Sequence, residues 1–258
     1  MTSSRMTGLG RTGNLSALLL LADGRLPAGG YAHSNGLEPV IIAGRVRDAA
    51  GVEAFLQGRA VTAGAVSAAF AAAACAASTS PSPFNSSFST PNTLSDTADG
   101  LLGRESLLVL HALDIELDAR LPSPALRTVS RQLGRQLLRA LNSIQPDPRL
   151  NHLARNPHQP VVLGVAAATF GLEPQHAALA ALHEAIAGPA AAAVRLLSLD
   201  PFSVHAALAR LGPLLNELAA EAAGHAHSAP EELPASAAPL LDIAAEQHAT
   251  REARLFAS

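Results

Sequence analysis

The chain has 258 residues, 48% hydrophobic and 15% charged, with a formal net charge of -3, one tyrosine, no tryptophan, one cysteine (Cys75) and no lysine. The missing lysine excludes a Walker-type phosphate loop and lysine Schiff-base chemistry, and the lone cysteine excludes disulfides within the chain and paired-cysteine metal sites. The charge and the scarcity of rings argue against nucleic acid as a partner, whereas alanine, at about a fifth of the sequence, points to closely packed helices.

Residues 1–14 carry Arg5 and Arg11 among Gly, Ser and Thr and read as a flexible N-terminus. The spacing Gly8-x-Gly10-x-x-Gly13 matches the dinucleotide fingerprint in letters only, since no strand precedes it and no βαβ pattern follows. Residues 15–22 read as a short apolar helix closed by Asp23-Gly24, and residues 25–34 as a Gly/Pro loop. Asn35, with Glu38 three residues on, resembles a capping box that opens a helix near Gly36. Asp48 is the next N-cap candidate, beginning a long alanine-rich helix to about residue 77. Its uncharged stretch, residues 60–77, just meets the length of a membrane span. Alanine, glycine, serine and threonine supply little transfer energy, so a buried helix is expected there. With no signal-peptide pattern and no disulfide pair, the expectation is a cytoplasmic protein without membrane attachment.

Residues 78–100 are Ser, Thr, Pro, Asn and Asp, with only Phe84, Phe88 and Leu94 as large apolar groups, and read as a flexible loop insertion. Helical periodicity resumes over residues 101–119. Ser123 as N-cap and Pro124 at the first helical position predict a helix to about Ile144, ended by Pro146 and Pro148. Further helices are predicted at about 160–170, 174–197 (with Pro189 as a kink or break) and 202–223. A proline-bearing linker follows from Gly224, with a short helix from about Leu240. The expected fold is all-α, a single-domain helical bundle over residues 15–223, with residues 224–258 as a linker and C-terminal tail that docks on a partner.

No catalytic constellation is complete. His183-Glu184 begins an HExxH pattern, but Ala187 stands where the second histidine is needed. His225-x-His227 lacks a third ligand, no GxSxG surrounds Ser34, and Cys75 sits in an alanine run as a small buried filler. A helical metal-dependent hydrolase using His176, His183 and Glu184 is the alternative reading, and a helical regulator a third.

Three features carry more information. The loop from Leu26 to Ser34 pairs Gly29 and Gly30 ahead of the only tyrosine, Tyr31; it reads either as a tight turn or as a surface that a partner recognises. Arg127, Arg131, Arg135 and Arg139 form one stripe along a helix. They pair with Glu105, Asp114, Glu116 or Asp118 on the preceding helix, or dock an acidic partner face. Gly134 within that helix implies close helix–helix approach. Last, Leu241, Ile243, His248, Leu255 and Phe256 give the terminus an apolar stripe that a frayed tail would not need.

Together these segments resemble the UreF family of urease accessory proteins. LPAGGYAHSNGLE, from Leu26 to Glu38, is similar to that family's N-terminal signature. SRQLGRQLLRA from Ser130 resembles its central helix, and His158-Gln159-Pro160-Val161-Val162-Leu163-Gly164 its His-x-Pro-Val-Val-x-Gly segment. Ala193-Val194-Arg195-Leu196 falls in its next motif, and RLFAS closes the chain as RLF-x-S does there. Departures lie after Arg195 (Leu-Leu-Ser-Leu-Asp-Pro for Pro-Leu-Gly-Gln) and around His248 (Glu-Gln-His-Ala for Met-Arg-His-Glu). The resemblance implies a non-catalytic protein that dimerises, binds a UreD/UreH-type protein and recruits a UreG-type GTPase to load nickel into apo-urease. On this reading GTP is bound by the partner GTPase, nickel is handled by the complex, and no cofactor or metal is assigned to the chain itself. The implied partner-binding residues are Pro27, Gly29, Gly30, Tyr31, Ser34, Gly36, Glu38, Arg131, Arg135, Arg195, His248, Arg254, Leu255 and Phe256, with Tyr31 and Arg254 facing the GTPase.

Overall fold

A computed structural model describes residues 14–30, 33–79 and 103–250, and among these residues it contains helices and turns and no β-strand. The all-α expectation holds. In chain order the helices are α1 (Leu15–Leu21), α2 (Leu37–Ile42), α3 (Ala49–Arg59), α4 (Ala65–Thr79), α5 (Arg104–Ala119), α6 (Pro124–Ile144), α7 (Gln159–Thr169), α8 (Pro174–Leu197), α9 (Pro201–Gly224) and α10 (Pro239–Ala249). A π-helical turn, Ala60–Gly64, joins α3 to α4 without interrupting the rod.

Helix starts follow local chemistry. Asp48 accepts from the Gly51 amide at 2.8 Å, and Ser123 accepts from the Leu126 amide with Pro124 at the first helical position. Asp200 accepts from both Phe202 and Ser203 ahead of α9. The capping box at Asn35 does not form. Asn35 and Gly36 both take left-handed backbone angles (φ 49° and 88°), so the Asn35 side chain is carried away from the helix start. Ser34, one residue earlier, accepts from the Glu38 amide instead.

The core is built on α4 and α7. Residues Ala68 to Ala76 of α4 are each at most 3% exposed, and α7 is buried from Pro160 to Ala168. Helices hydrophobic all round belong in a protein interior, and here α5, α6, α8 and α9 surround the pair. A methyl group on Gly164 of α7 would overlap the Ala71 carbonyl and the Ala74 methyl of α4. The two backbones meet where neither carries bulk. Two helical rods, Ala49–Thr79 and Pro174–Leu197, are long and apolar enough to cross a membrane. Some 67% and 61% of their most apolar stretches are buried inside the protein, so neighbouring helices already cover that surface.

Of the expected insertion, Ser78 and Thr79 still belong to α4, their hydroxyls donating back to the Ala74 and Cys75 carbonyls; the rest lies outside the described residues. Pro189 does not break its helix, which runs on from Pro174 to Leu197. Past α9 the chain stays pinned. The Arg120 guanidinium donates to the Glu231 and Leu233 carbonyls and lies over the Phe70 ring, 5.3 Å from its centroid. α10 then packs against α2 and α6.

Candidate functional site

The glycine loop rests on one face of α8. A methyl on Gly30 would sit 3.4 Å from Oε1 of Glu184. One turn further along α8, a methyl on Gly188 would sit 3.3 Å from Nδ2 of Asn35 and 3.6 Å from the His33 carbonyl. Gly29 has a left-handed φ of 84°, where a side chain would also run into Gln136. Pro27 is exposed on the loop's outer side, and Ser34 is buried beneath it. Tyr31, the residue the sequence points to most directly, lies outside the described residues, as do Arg254, Leu255 and Phe256.

The exit of this loop meets the C-terminal helix. Glu38 on α2 and His248 on α10 are both buried, with Nε2 of the imidazole 3.1 Å from Oε2 of the carboxylate. Gly36 faces Leu241 of the same helix. Glu246, two residues before His248, accepts from the Ser123 hydroxyl and, at 2.9 Å, from the Ala125 amide at the start of α6. That contact holds the Glu246 carboxyl below its ordinary range. The structure thus brings together Ser34, Gly36, Glu38 and His248, four of the residues expected from the sequence.

The arginine stripe behaves differently along its length. Arg131 is held at 3.0 Å from Asp114 and 2.9 Å from Asp118 on α5, the pairing with the preceding helix that the spacing allowed. Buried His158 completes that network. Its backbone amide donates to Asp114, its Nδ1 meets the Ser130 hydroxyl at 2.9 Å and its Nε2 meets Asp118 at 3.0 Å. Burial, helped by the Arg131 charge, holds the His158 imidazole below its ordinary pKa. Burial works to raise Asp118, but hydrogen bonds from Arg131 and His158 outweigh it and hold the carboxyl low. Arg135, exposed, reaches the Asn156 side chain at 3.3 Å. Gly134 between them admits the Pro157 carbonyl and the start of α7, so the close approach expected there is to a loop rather than to a helix flank.

Between the glycine loop, α3, α6, α7 and α8 lies a cavity of about 200 Å³. Leu26, Leu133, Leu137 and Leu163 line its apolar side; Asn35, Arg59, Ser67, Gln159, Glu184 and Arg195 supply its polar groups. A second cavity of about 110 Å³ shares the walls at Asn35, Arg59, Ser67 and Gln159 and extends toward Arg120 and Asp242. Gln159 donates to the Glu184 carboxyl, yet burial still pushes Glu184 up to about 7.

Arg59 was not indicated by any motif, and its placement follows from Pro189. A proline has no amide hydrogen, so the carbonyl four residues earlier, that of Ala185, loses its helical partner. Arg59 Nε donates to this carbonyl at 2.9 Å from across the bundle. Burial lowers the Arg59 pKa to about 10.

The residues of the hydrolase alternative do not converge. His176 lies at the start of α8, its Nδ1 accepting from the Glu173 amide, and the half-buried His183 has its pKa lowered by burial. Among the described residues no three His, Cys, Asp or Glu side chains are grouped as a metal site would require. Cys75 is sealed in α4 with Sγ 3.4 Å from the Leu172 carbonyl, and burial pushes its thiol up to about 12.

Comparison with known proteins gives one consistent result. A model of the UreF family matches residues 46–212. The urease accessory protein UreF of Mycolicibacterium vanbaalenii is 39% identical over 245 residues, covering 95% of this chain and 99% of that protein. Those of Mycobacterium sp. strain JLS and Mycobacterium tuberculosis are 38% and 37% identical, each over 95% of this chain and 99% of their own lengths.

Proposed function

The chain belongs to the UreF family, and from that premise we propose that it is a urease accessory protein, a non-catalytic helical scaffold for insertion of nickel into apo-urease. The observation that carries this reading is end-to-end similarity to proteins of that name, which leaves no region of them unmatched by more than a few residues. The scaffold works in the cytoplasm as a homodimer, binds a UreD/UreH-type protein and recruits a UreG-type GTPase. GTP is hydrolysed on that partner. The lysine-free composition, which rules out a phosphate-loop lysine in this chain, is consistent with such a division of labour.

The arrangement around Glu38 and His248 supports an interaction role. A partner surface assembled from two distant segments must hold them in register, and here α2, which follows the glycine loop, and the C-terminal helix share a buried ionisable pair. Pro27, Gly29, Gly30 and Tyr31 on the loop, with Arg254, Leu255 and Phe256 beyond α10, then form the surface read by the GTPase and the UreD-type protein. Arg135 and Arg195 are further contacts on this reading, and Arg131, paired with Asp114 and Asp118, ties α6 to α5.

The test is urease activity and nickel content in a deletion strain, with and without the gene restored, joined to co-purification of the wild-type chain with its partners. Loss of activity and of urease-bound nickel, both restored on complementation, is the expected result; unchanged urease in the deletion strain would exclude the role. Tyr31→Ala and Arg254→Ala are each expected to reduce GTPase capture while leaving helical content unaltered. An intact complex in both variants removes the site assignment.

A further inference from the structure

Arg59 is set apart from the other inward-facing arginines. Arg120, Arg131 and Arg149 each meet a carboxylate, at 2.5, 3.0 and 2.8 Å. Arg59 makes one hydrogen bond among the described residues, from Nε to a backbone carbonyl, and no ion pair. Its side chain lines the cavity, and among the described residues its terminal nitrogens make no hydrogen bond. The side chain is half-buried and Glu184 lines the same cavity, but no carboxylate bonds to it among the described residues; a cation held partly out of water ordinarily takes a partner. Guanidinium presents a planar fork that fits the two oxygens of a carboxylate.

The remainder of the cavity selects among anions. Leu133, Leu137 and Leu163 form an apolar wall, which offers a tetrahedral oxyanion nothing but would cover a short alkyl chain. Asn35 and Gln159 supply amide groups beside Arg59. The volume of about 200 Å³ is below the roughly 300 Å³ at which pockets begin to hold drug-sized ligands, so the occupant is small. We propose that this cavity is a binding site for a short-chain carboxylate, anchored by the terminal nitrogens of Arg59 with its alkyl tail against Leu133, Leu137 and Leu163.

The ionisable groups lining the cavity are Asp23, Arg59, Glu184 and Arg195, and Arg120 and Asp242 line the adjoining one. Glu184 is the group that changes charge near neutrality, since burial pushes it up to about 7. As pH rises through that value its carboxylate adds negative charge next to the ligand, and carboxylate binding weakens.

The experiment is calorimetric titration of the purified full-length chain with butyrate, with acetate, phosphate and butylamine as comparison probes, at about pH 6 and about pH 8. Expected are saturable one-to-one binding of butyrate, weaker binding of acetate, and none of butylamine. Arg59→Gln is expected to weaken butyrate by about tenfold or more. Because that change also strips the Ala185 carbonyl of its donor, Ser67→Leu provides a second arm that fills the cavity and leaves Arg59 bonded. It is expected to abolish binding with helical content unchanged. Glu184→Gln is expected to retain at pH 8 the affinity seen at pH 6. Absence of saturable butyrate binding, undiminished binding in Arg59→Gln or Ser67→Leu, or phosphate bound more tightly than butyrate overturns the proposal. None of these measurements involves urease, so the outcome is separate from that of the accessory-protein reading.

Discussion

His248 and Glu38 meet across 210 positions of sequence, Nε2 to Oε2 at 3.1 Å, with both side chains withdrawn from solvent. The contact makes the docking of α10 a matter of buried polar chemistry as well as of apolar area, since Leu240 and Ile243 on the same helix remain exposed. Removing one member of a buried hydrogen-bonded pair typically costs about 1–3 kcal/mol. His248→Ala should therefore release α10 selectively. Hydrogen exchange should show the amides of residues 241–248 losing protection while those of α4 and α7 keep theirs. Equal loss of protection throughout would mean that α10 is not a separable unit.

Glycine positions separate packing from helix propensity. Gly58 and Gly212 have no neighbour near an added methyl group, so Gly→Ala at either should stabilise by up to about 1 kcal/mol. Gly164→Ala forces α7 away from α4 and should destabilise by about 1–3 kcal/mol, as overpacking does. Gly134→Ala, which meets the Pro157 carbonyl, should fall on the same side. Urea denaturation of the four variants checks the sign at each site.

Glu184 makes stability depend on pH. Its folded pKa of about 7 is above the ordinary value of 4.5, so the folded state binds the proton more tightly than the unfolded one. The contribution is fully present below about pH 4.5 and is lost as pH rises through about 7. Glu184→Gln removes this dependence, and its stability advantage over wild type should grow by about 1–3 kcal/mol between those limits. A gap that stays constant with pH would place the titration elsewhere.

The single thiol reports on the core. Cys75 is fully buried and its pKa is pushed up to about 12, so at neutral pH it is an inaccessible thiol rather than a nucleophile. Labelling by a thiol reagent should be negligible in the native protein and should appear only with global unfolding. Its rate against urea then tracks the opening of α4.

Much of the helical framework was legible because it is written in local chemistry. Ser123-Pro124, Asp48 and the apolar periodicity of α5 act within one or two turns of where they stand. Asn35 shows the limit of that reading: its spacing to Glu38 is that of a capping box, but two successive left-handed residues turn it aside and Ser34 takes the position. Glu38 was identified by motif, whereas its partner choice depends on how a helix 210 residues later is seated. The Arg131 pairing could be anticipated because α5 and α6 are adjacent in the chain; the involvement of His158, beyond a further turn, could not. The cavity was the least visible feature. Its walls come from α1, the glycine loop and α3, α4, α6, α7 and α8, and Arg59 belongs to no pattern that spacing reveals.

The bond from Arg59 to the Ala185 carbonyl spans 126 positions and restores the acceptor that Pro189 leaves without a donor. One consequence concerns the order in which the molecule is built. As an isolated peptide, residues 174–197 should fray around residues 185–189, because the repair must arrive from another helix. The continuity of α8 is thus a product of assembly, and nascent chains that have made α8 before α3 docks will hold only its two halves.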